Sequence, residues 1–281
     1  MPTTGRIVWD EVEKRFYQTG CDRGVLYRQV NGAYPKAVAW NGLTAVTEQP
    51  EGAEPTDIYA DNIKYLSIRS AENYKATIEA LYSPEEFDEC DGSASPIAGV
   101  KISQQPRKPF GFSWRTIKGN ATEFNDHGYI IHVIYGGTVD PTEKSYQTVN
   151  DSPDVMNLSW SIDTIPVNVT GHKPTAHMEF DCSVMTDAQV KVLENTLYGK
   201  DAHDAIAATY KLASANGGTY QATGVDYYTK AGDVYTKVNS PSSADFASYY
   251  VIDTPAQDAQ TASDGRLPLP DELIALIQAA A

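Results

Sequence analysis

The sequence predicts a mainly β fold in which long two-faced strands build a sheet and a helix covers one of its faces. Three observations predict it. Residues 73–82, 110–115, 156–163 and 175–181 alternate apolar and polar side chains, which is the period-two repeat of a strand with one packed face. Residues 129–135 (YIIHVIY) are apolar on both faces apart from His132, as an interior strand requires. Residues 186–198 carry a full set of helix signals: Thr186 and Gln189 at capping-box spacing, Val190, Leu193 and Leu197 as an apolar stripe, and Gly199 as terminator.

Taken in order, residues 6–17 hold Val8, Trp9, Val12 and Phe16, a short segment able to dock an apolar side on the body. Residues 25–27 and 38–40 are brief strands broken by the turn dipeptides Asn31-Gly32 and Asn41-Gly42. The stretch EQPEGAEPTDIYAD that follows holds two prolines, one glycine and five acids, and is expected to be a long exposed loop, at about residues 42–62, or an extended hairpin. Residues 63–70 lead into a strand over 72–82. There Tyr74, Ala76, Ile78, Ala80 and Tyr82 share one side, and Asn73, Lys75, Thr77 and Glu79 the other. Ser83, Pro84 and Glu86 then read as a capping box opening a short acidic helix, because free amides at a helix start favour carboxylates.

In the second half, Phe110, Phe112 and Trp114 oppose Gly111, Ser113 and Arg115, and Met156, Leu158, Trp160 and Ile162 oppose Asn157, Ser159, Ser161 and Asp163. After breaks at Pro166, Gly171 and Pro174, Ala176, Met178 and Phe180 alternate with Thr175, His177, Glu179 and Asp181. Beyond residue 200 the chain turns rich in Ala, Ser, Thr, Tyr, Gly and Asp, with turn signals at Asn216-Gly217-Gly218 and Ala231-Gly232-Asp233. Small hairpins or an extended arm fit that texture. The closing LPLPDELIALIQAAA is a short apolar helix with Pro270 at its start, too short to be stable without something to dock on, such as a neighbouring subunit. Two regions are therefore expected: a β domain over residues 1–200 and a C-terminal extension over 201–281.

With 281 residues, 21% charged and 41% hydrophobic, the composition is that of an ordinary globular protein. A formal net charge of −15 argues against wrapping a nucleic-acid backbone, which needs clustered cations to displace counterions. Cys21, Cys90 and Cys182 lie far apart with no Cys-x-x-Cys spacing, so free thiols are expected rather than a zinc site or a disulfide framework. The first sixteen residues have no leader pattern, and no apolar run reaches membrane-spanning length. No nucleophile elbow, H-E-x-x-H pair or phosphate loop occurs; His127, His132, His172, His177 and His203 fall at no metal spacing, and His132 reads as a packed or rim histidine. Glu85, Glu86, Asp88, Glu89 and Asp91 could bind a cation, though a helix start accounts for them. No enzyme and no cofactor is expected.

Several ordered stretches resemble the major tail proteins of long flexible-tailed bacteriophages. They are the acidic loop running on through IYADNIKYLSIRSAENYKATIEALYSPEEFDECDG, then VKISQQPRKPFGFSWRTIKGN, YIIHVIYGG with its SYQTVNDSP connector, SWSIDTIPVNVTGHKPTAH, and the helix ending LYG. The resemblance covers roughly residues 35–200, with LPLPDELIAL as a further match. It implies a β-sandwich or barrel of the tail tube type with a flanking helix. Copies of the chain would form hexameric rings stacked into a virion tube, built in the host bacterial cytoplasm. It also implies contact with the tape measure, tail terminator and distal tail proteins, and DNA that passes through without specific binding. Candidates for the lumen face are Lys75, Thr77, Glu79, Ser159, Ser161 and Asp163; candidates for ring stacking are Glu48, Glu51, Glu54, Asp57 and Tyr59. Two other readings stay open: a β-sandwich decoration or carbohydrate-binding module, for which the 18 tyrosines speak, and a β-rich hydrolase using the acids at 85–91.

Overall fold

The longest strands are buried on both faces along one part of their length, and the architecture follows from how each face is covered. The computed structural model describes residue 7 and residues 9–281 except 53, 147, 149–154, 203, 204, 216, 217 and 257–259. Val8, His203, the Asn216-Gly217 turn and the end of the SYQTVNDSP connector thus lie outside the described residues. The chain divides into two compact units, residues 1–199 with 264–281, and residues 200–263.

The first unit is mainly β. Its principal strands are β1 (Phe16–Arg28), β2 (Ala37–Trp40), β3 (Leu43–Glu48), β4 (Pro55–Ala60), β5 (Ile63–Arg69), β6 (Lys75–Ala80), β7 (Phe110–Asn120), β8 (Phe124–Val139), β9 (Leu158–Thr164) and β10 (His177–Asp181), beside short two-stranded pairings elsewhere. Eight of them form one sheet in the order β2-β1-β7-β8-β9-β6-β3, with β10 also on β8; the pairings are antiparallel. β8 changes partner along its length: residues 130–134 pair with β10 and residues 137–139 with β9. Gly136 stands between the two pairings with φ +61°, and a Cβ there would lie 2.3 Å from the Ile165 carbonyl oxygen. Only glycine fits this bend.

The bend lets the sheet close over itself as two layers. Leu26, Phe110, Phe112, Trp114 and Ile134 face Ala76, Ile78, Ala80, Trp160 and Ile162 in a common apolar cluster. The opposite faces of β1 and β8 present Val25, Tyr27, Ile131, Val133 and Tyr135 to two helices, α2 (Asp187–Tyr198) and α3 (Pro270–Ala279), through Leu193, Leu197 and Leu273. This double coverage is why 129–135 reads as apolar on both sides. The helix expected at 186–198 forms with its capping box complete: Gln189 N–H donates to Thr186 Oγ1 at 3.3 Å and Thr186 N–H donates to Gln189 Oε1 at 3.0 Å.

Four expectations need correction. The extension expected over 201–281 ends at 263, because α3 belongs to the first unit and docks on α2 of its own chain rather than waiting for a neighbour. Of the two readings of residues 42–62, a loop or an extended hairpin, the hairpin holds for β4 with β5, but the stretch also contains β3, a member of the main sheet. The strand expected over 72–82 is interrupted at Tyr74, with Glu72–Asn73 paired to residues 51–52 and β6 in the main sheet, and it stops before Tyr82, which is exposed, its carbonyl taking the Trp40 indole N–H at 2.8 Å. Ser83 caps nothing: a 3-10 turn at Glu85–Phe87 runs into α1 (Asp88–Asp91) with no side-chain cap. Burial of Phe87 and Cys90 in the core holds that segment instead.

In the second unit, β11 (Thr209–Leu212), β12 (Tyr228–Ala231), β13 (Val234–Lys237) and β14 (Tyr250–Thr254) form an antiparallel sheet in the order β11-β14-β12-β13. Its small core is aromatic, with Tyr220, Tyr227, Phe246 and Tyr249 in ring contact.

Candidate functional site

The six residues expected on a polar wall come from two strands that turn out to be neighbours. β6 and β9 pair with Glu79 opposite Ser159, Thr77 opposite Ser161 and Lys75 opposite Asp163. Cross-strand partners share a face, so all six stand on one surface, opposite the buried Ala76, Ile78, Trp160 and Ile162. Each is half-buried, and short polar contacts hold the surface in place. Lys75 Nζ lies 2.9 Å from Glu51, Asn73 donates to Asp163 at 2.6 Å, and Asn157 donates to Glu79 at 2.7 Å. With Glu51 beside Lys75, the wall carries three carboxylates, Glu51, Glu79 and Asp163, against one ammonium.

The five stacking candidates separate. Glu54, Asp57 and Tyr59 belong to the β4–β5 hairpin or its root, with Asp57 paired to Lys64 across it at 2.7 Å. Glu51 stands at the wall, on Lys75. Glu48 ends β3 and turns toward the space between the two sheet layers. All seven residues of β5 are exposed, and on the hairpin Tyr59 and Tyr65 keep 68% and 65% of their surface in water.

Three of the five acids at 85–91 are engaged with cations. Asp88 pairs with Lys101 at 2.7 Å, Glu89 with Lys108 at 2.8 Å and Arg28 at 3.2 Å, and Asp91 with Lys144 at 2.6 Å. Lys108 and Arg28 hold the Glu89 carboxyl below the usual carboxylate range.

A different set converges at the open end of the layered core. His132 on β8 stands directly opposite Glu179 on β10, and His177 lies two residues before Glu179 on the same face. Glu48 reaches them from β3. One ligand atom of each of these four residues lies within 4.8 Å of the other three, and among the described residues no other group of this kind occurs. His132 Nδ1 is 3.6 Å from Glu179 and 3.9 Å from Glu48, and His177 Nε2 is 3.8 Å from Glu48. Those separations exceed hydrogen bonds, and both ring nitrogens are buried without a partner, a condition that costs about 1–3 kcal/mol for each group.

The rings belong to a stack: Tyr74 on His177 at 4.8 Å, His177 on His132 at 5.7 Å and His132 on Trp114 at 4.8 Å between centroids. Burial pushes the His132 pKa down, and burial with the neighbouring His132 brings His177 to about 4. Partial desolvation, then Glu179, raises the Glu48 carboxyl. Neutral imidazoles beside carboxylates are donors suited to a borderline metal ion. The expectation that His132 is a packed histidine holds for its ring but leaves its Nδ1 unexplained. The signal available in the sequence was the His177-x-Glu179 pair on one strand face.

Compared with protein-family models and with curated proteins, the chain matches none of them. Among the described residues no helix is long and apolar enough to cross a membrane.

Proposed function

We propose that the chain is a self-assembling structural protein, a subunit of a phage tail tube whose rings stack through the β4–β5 hairpin. The observation that carries this reading is the hairpin itself. It is a two-stranded sheet of its own, and Ile58, Tyr59, Ile63, Tyr65, Leu66 and Ile68 are all exposed on it. An isolated hairpin is marginal in water, and clustered exposed apolar side chains mark a docking surface. A second copy of the chain is the occupant that a tube supplies repeatedly. The polar wall of β6 and β9 supports the same reading, since a face of small polar groups with an excess of carboxylates suits a bore that DNA crosses without adhering. Contacts with tape measure, terminator and distal tail proteins belong to this proposal, as does a place in the virion tail.

Negative-stain microscopy of concentrated protein is the test. Rings or tubes are expected, and a variant with residues 55–69 replaced by a two-residue Asn-Gly turn should keep its circular dichroism while losing tubes. Strictly monomeric wild-type particles, or tubes in the variant, would overturn the proposal.

A second reading rests on the 200–263 unit. Strand register puts Tyr210, Tyr228, Tyr235 and Tyr250 on one face of its sheet, with Tyr210 stacked on Tyr235 at 4.0 Å. A half-exposed aromatic face fits a decoration or carbohydrate-binding module, and saturable binding on a glycan array, lost in Tyr235→Ala, would favour it.

A further inference from the structure

We propose that Glu48, His132, His177 and Glu179 form a structural site for a divalent first-row transition ion, with zinc the best match to the donor set. Two imidazoles with two carboxylates select such an ion over calcium or magnesium, which take oxygen ligands throughout. Four protein ligands make a closed site of the structural kind rather than one that leaves a position for substrate.

Distances carry the inference. Ligands bound at about 2.05 Å in a tetrahedron stand roughly 3.3 Å apart. The three close pairs here are 3.6, 3.8 and 3.9 Å apart, and no pair exceeds 4.8 Å. Shifts of about 0.3–0.6 Å at the rim carboxylates bring these three close pairs, each of which includes Glu48 or Glu179, to that spacing. Glu48 and Glu179 can make those shifts, because 37% and 55% of their side-chain surfaces are exposed, which also gives the ion a way in.

His132 supplies the independent observation. Only 4% of the residue is exposed, and its Nδ1 is aimed at both carboxylates without a hydrogen-bond partner. Its other nitrogen, Nε2, lies 2.9 Å from Thr116 Oγ1. A proton held there and donated to Thr116 leaves the Nδ1 lone pair facing the cluster, the usual way a ligating histidine is oriented. A ring serving only as a flat member of the stack would do as well as phenylalanine and would bury no orphan nitrogen. Bound metal ties the end of β3 to β8 and β10, a few residues before the β4–β5 hairpin begins.

The test uses the full chain, stripped with a chelator and titrated with cobalt(II) as the spectroscopic substitute. One cobalt per chain is expected, with intense tetrahedral d–d absorption that zinc displaces. Glu48→Gln and Glu179→Gln, both at the rim and compatible with folding, should each weaken cobalt binding at least about tenfold with unchanged circular dichroism. Absence of saturable uptake, or uptake that neither substitution weakens, would overturn the site. The readout is independent of assembly, so its failure leaves the tube proposal standing.

Discussion

Tyr27 shows how a single polar atom is accommodated in a layer buried on both sides. Its hydroxyl donates to the Leu197 carbonyl at 3.0 Å and meets Ser113 Oγ at 3.1 Å, joining β1, β7 and the end of α2. Tyr27→Phe keeps the ring and strands both partners, so we expect a loss of about 1–3 kcal/mol, read as a lower urea midpoint at unchanged slope. Cys90 is buried in the apolar cluster between the layers, and Cys21 and Cys182 are half-buried. Burial, followed by Asp22, pushes Cys21 up to about 11; burial takes Cys90 to about 12, and burial followed by Glu194 takes Cys182 to about 12. Folding therefore holds protons that the unfolded chain gives up near pH 8.5. This contribution to stability is intact below that pH and is lost as pH rises toward the folded values. Burial raises Tyr27 and Tyr135 as well, with the same sign. The melting temperature should fall steadily above about pH 9. At pH 8 a thiol reagent should label Cys90, which is fully buried, only after denaturation.

Elements differ in how far their own residues decide them. α2 is decided locally: cap, stripe and terminator all lie within 186–199, and each is where the sequence puts it. Thr186→Ala should cost about 1 kcal/mol by removing one side of the capping box, measured by the same denaturation. The turn at 85–91 carries the same kind of local signal and misleads, because Pro84 is extended and the anchoring comes from Phe87 beneath Trp40 and Trp160. Phe87→Ala should therefore cost about 3–5 kcal/mol, whereas Ser83→Ala should be close to neutral. A large Ser83 effect on the urea midpoint would show the cap to matter after all. The hairpin was legible only as an alternative to a loop. Prolines and acids depress strand propensity there, and the pairing that makes it a hairpin is internal to a segment with no buried face. The polar wall was legible because alternation alone assigns each residue a side; that its two halves touch was not, since residues 75–80 and 158–163 meet only through the fold. The Glu48–His132–His177–Glu179 cluster left almost no trace for the same reason: its members come from three strands far apart in sequence.

At the scale of the molecule, residues 200–263 are an insertion into the first unit, which resumes at 264. Within that unit the chain returns beside the point it left, with Arg266 N–H donating to the Thr196 carbonyl at 2.8 Å. Replacing 200–263 by a short Gly-Ser linker should therefore leave the first unit folded, with its near-ultraviolet circular dichroism intact; an unfolded product would refute its independence. The return has a further consequence, in time rather than space. Leu267 and Leu273 complete the cluster over β1 and β8, yet both are translated after every strand of the main sheet and after the whole inserted unit. A growing chain thus carries its hairpin long before its helix-side face is sealed. Synthesis of residues 267–273 becomes the event that seals this face, so a nascent chain that has not yet reached them leaves Val25, Tyr27, Ile131, Val133 and Tyr135 short of part of their cover.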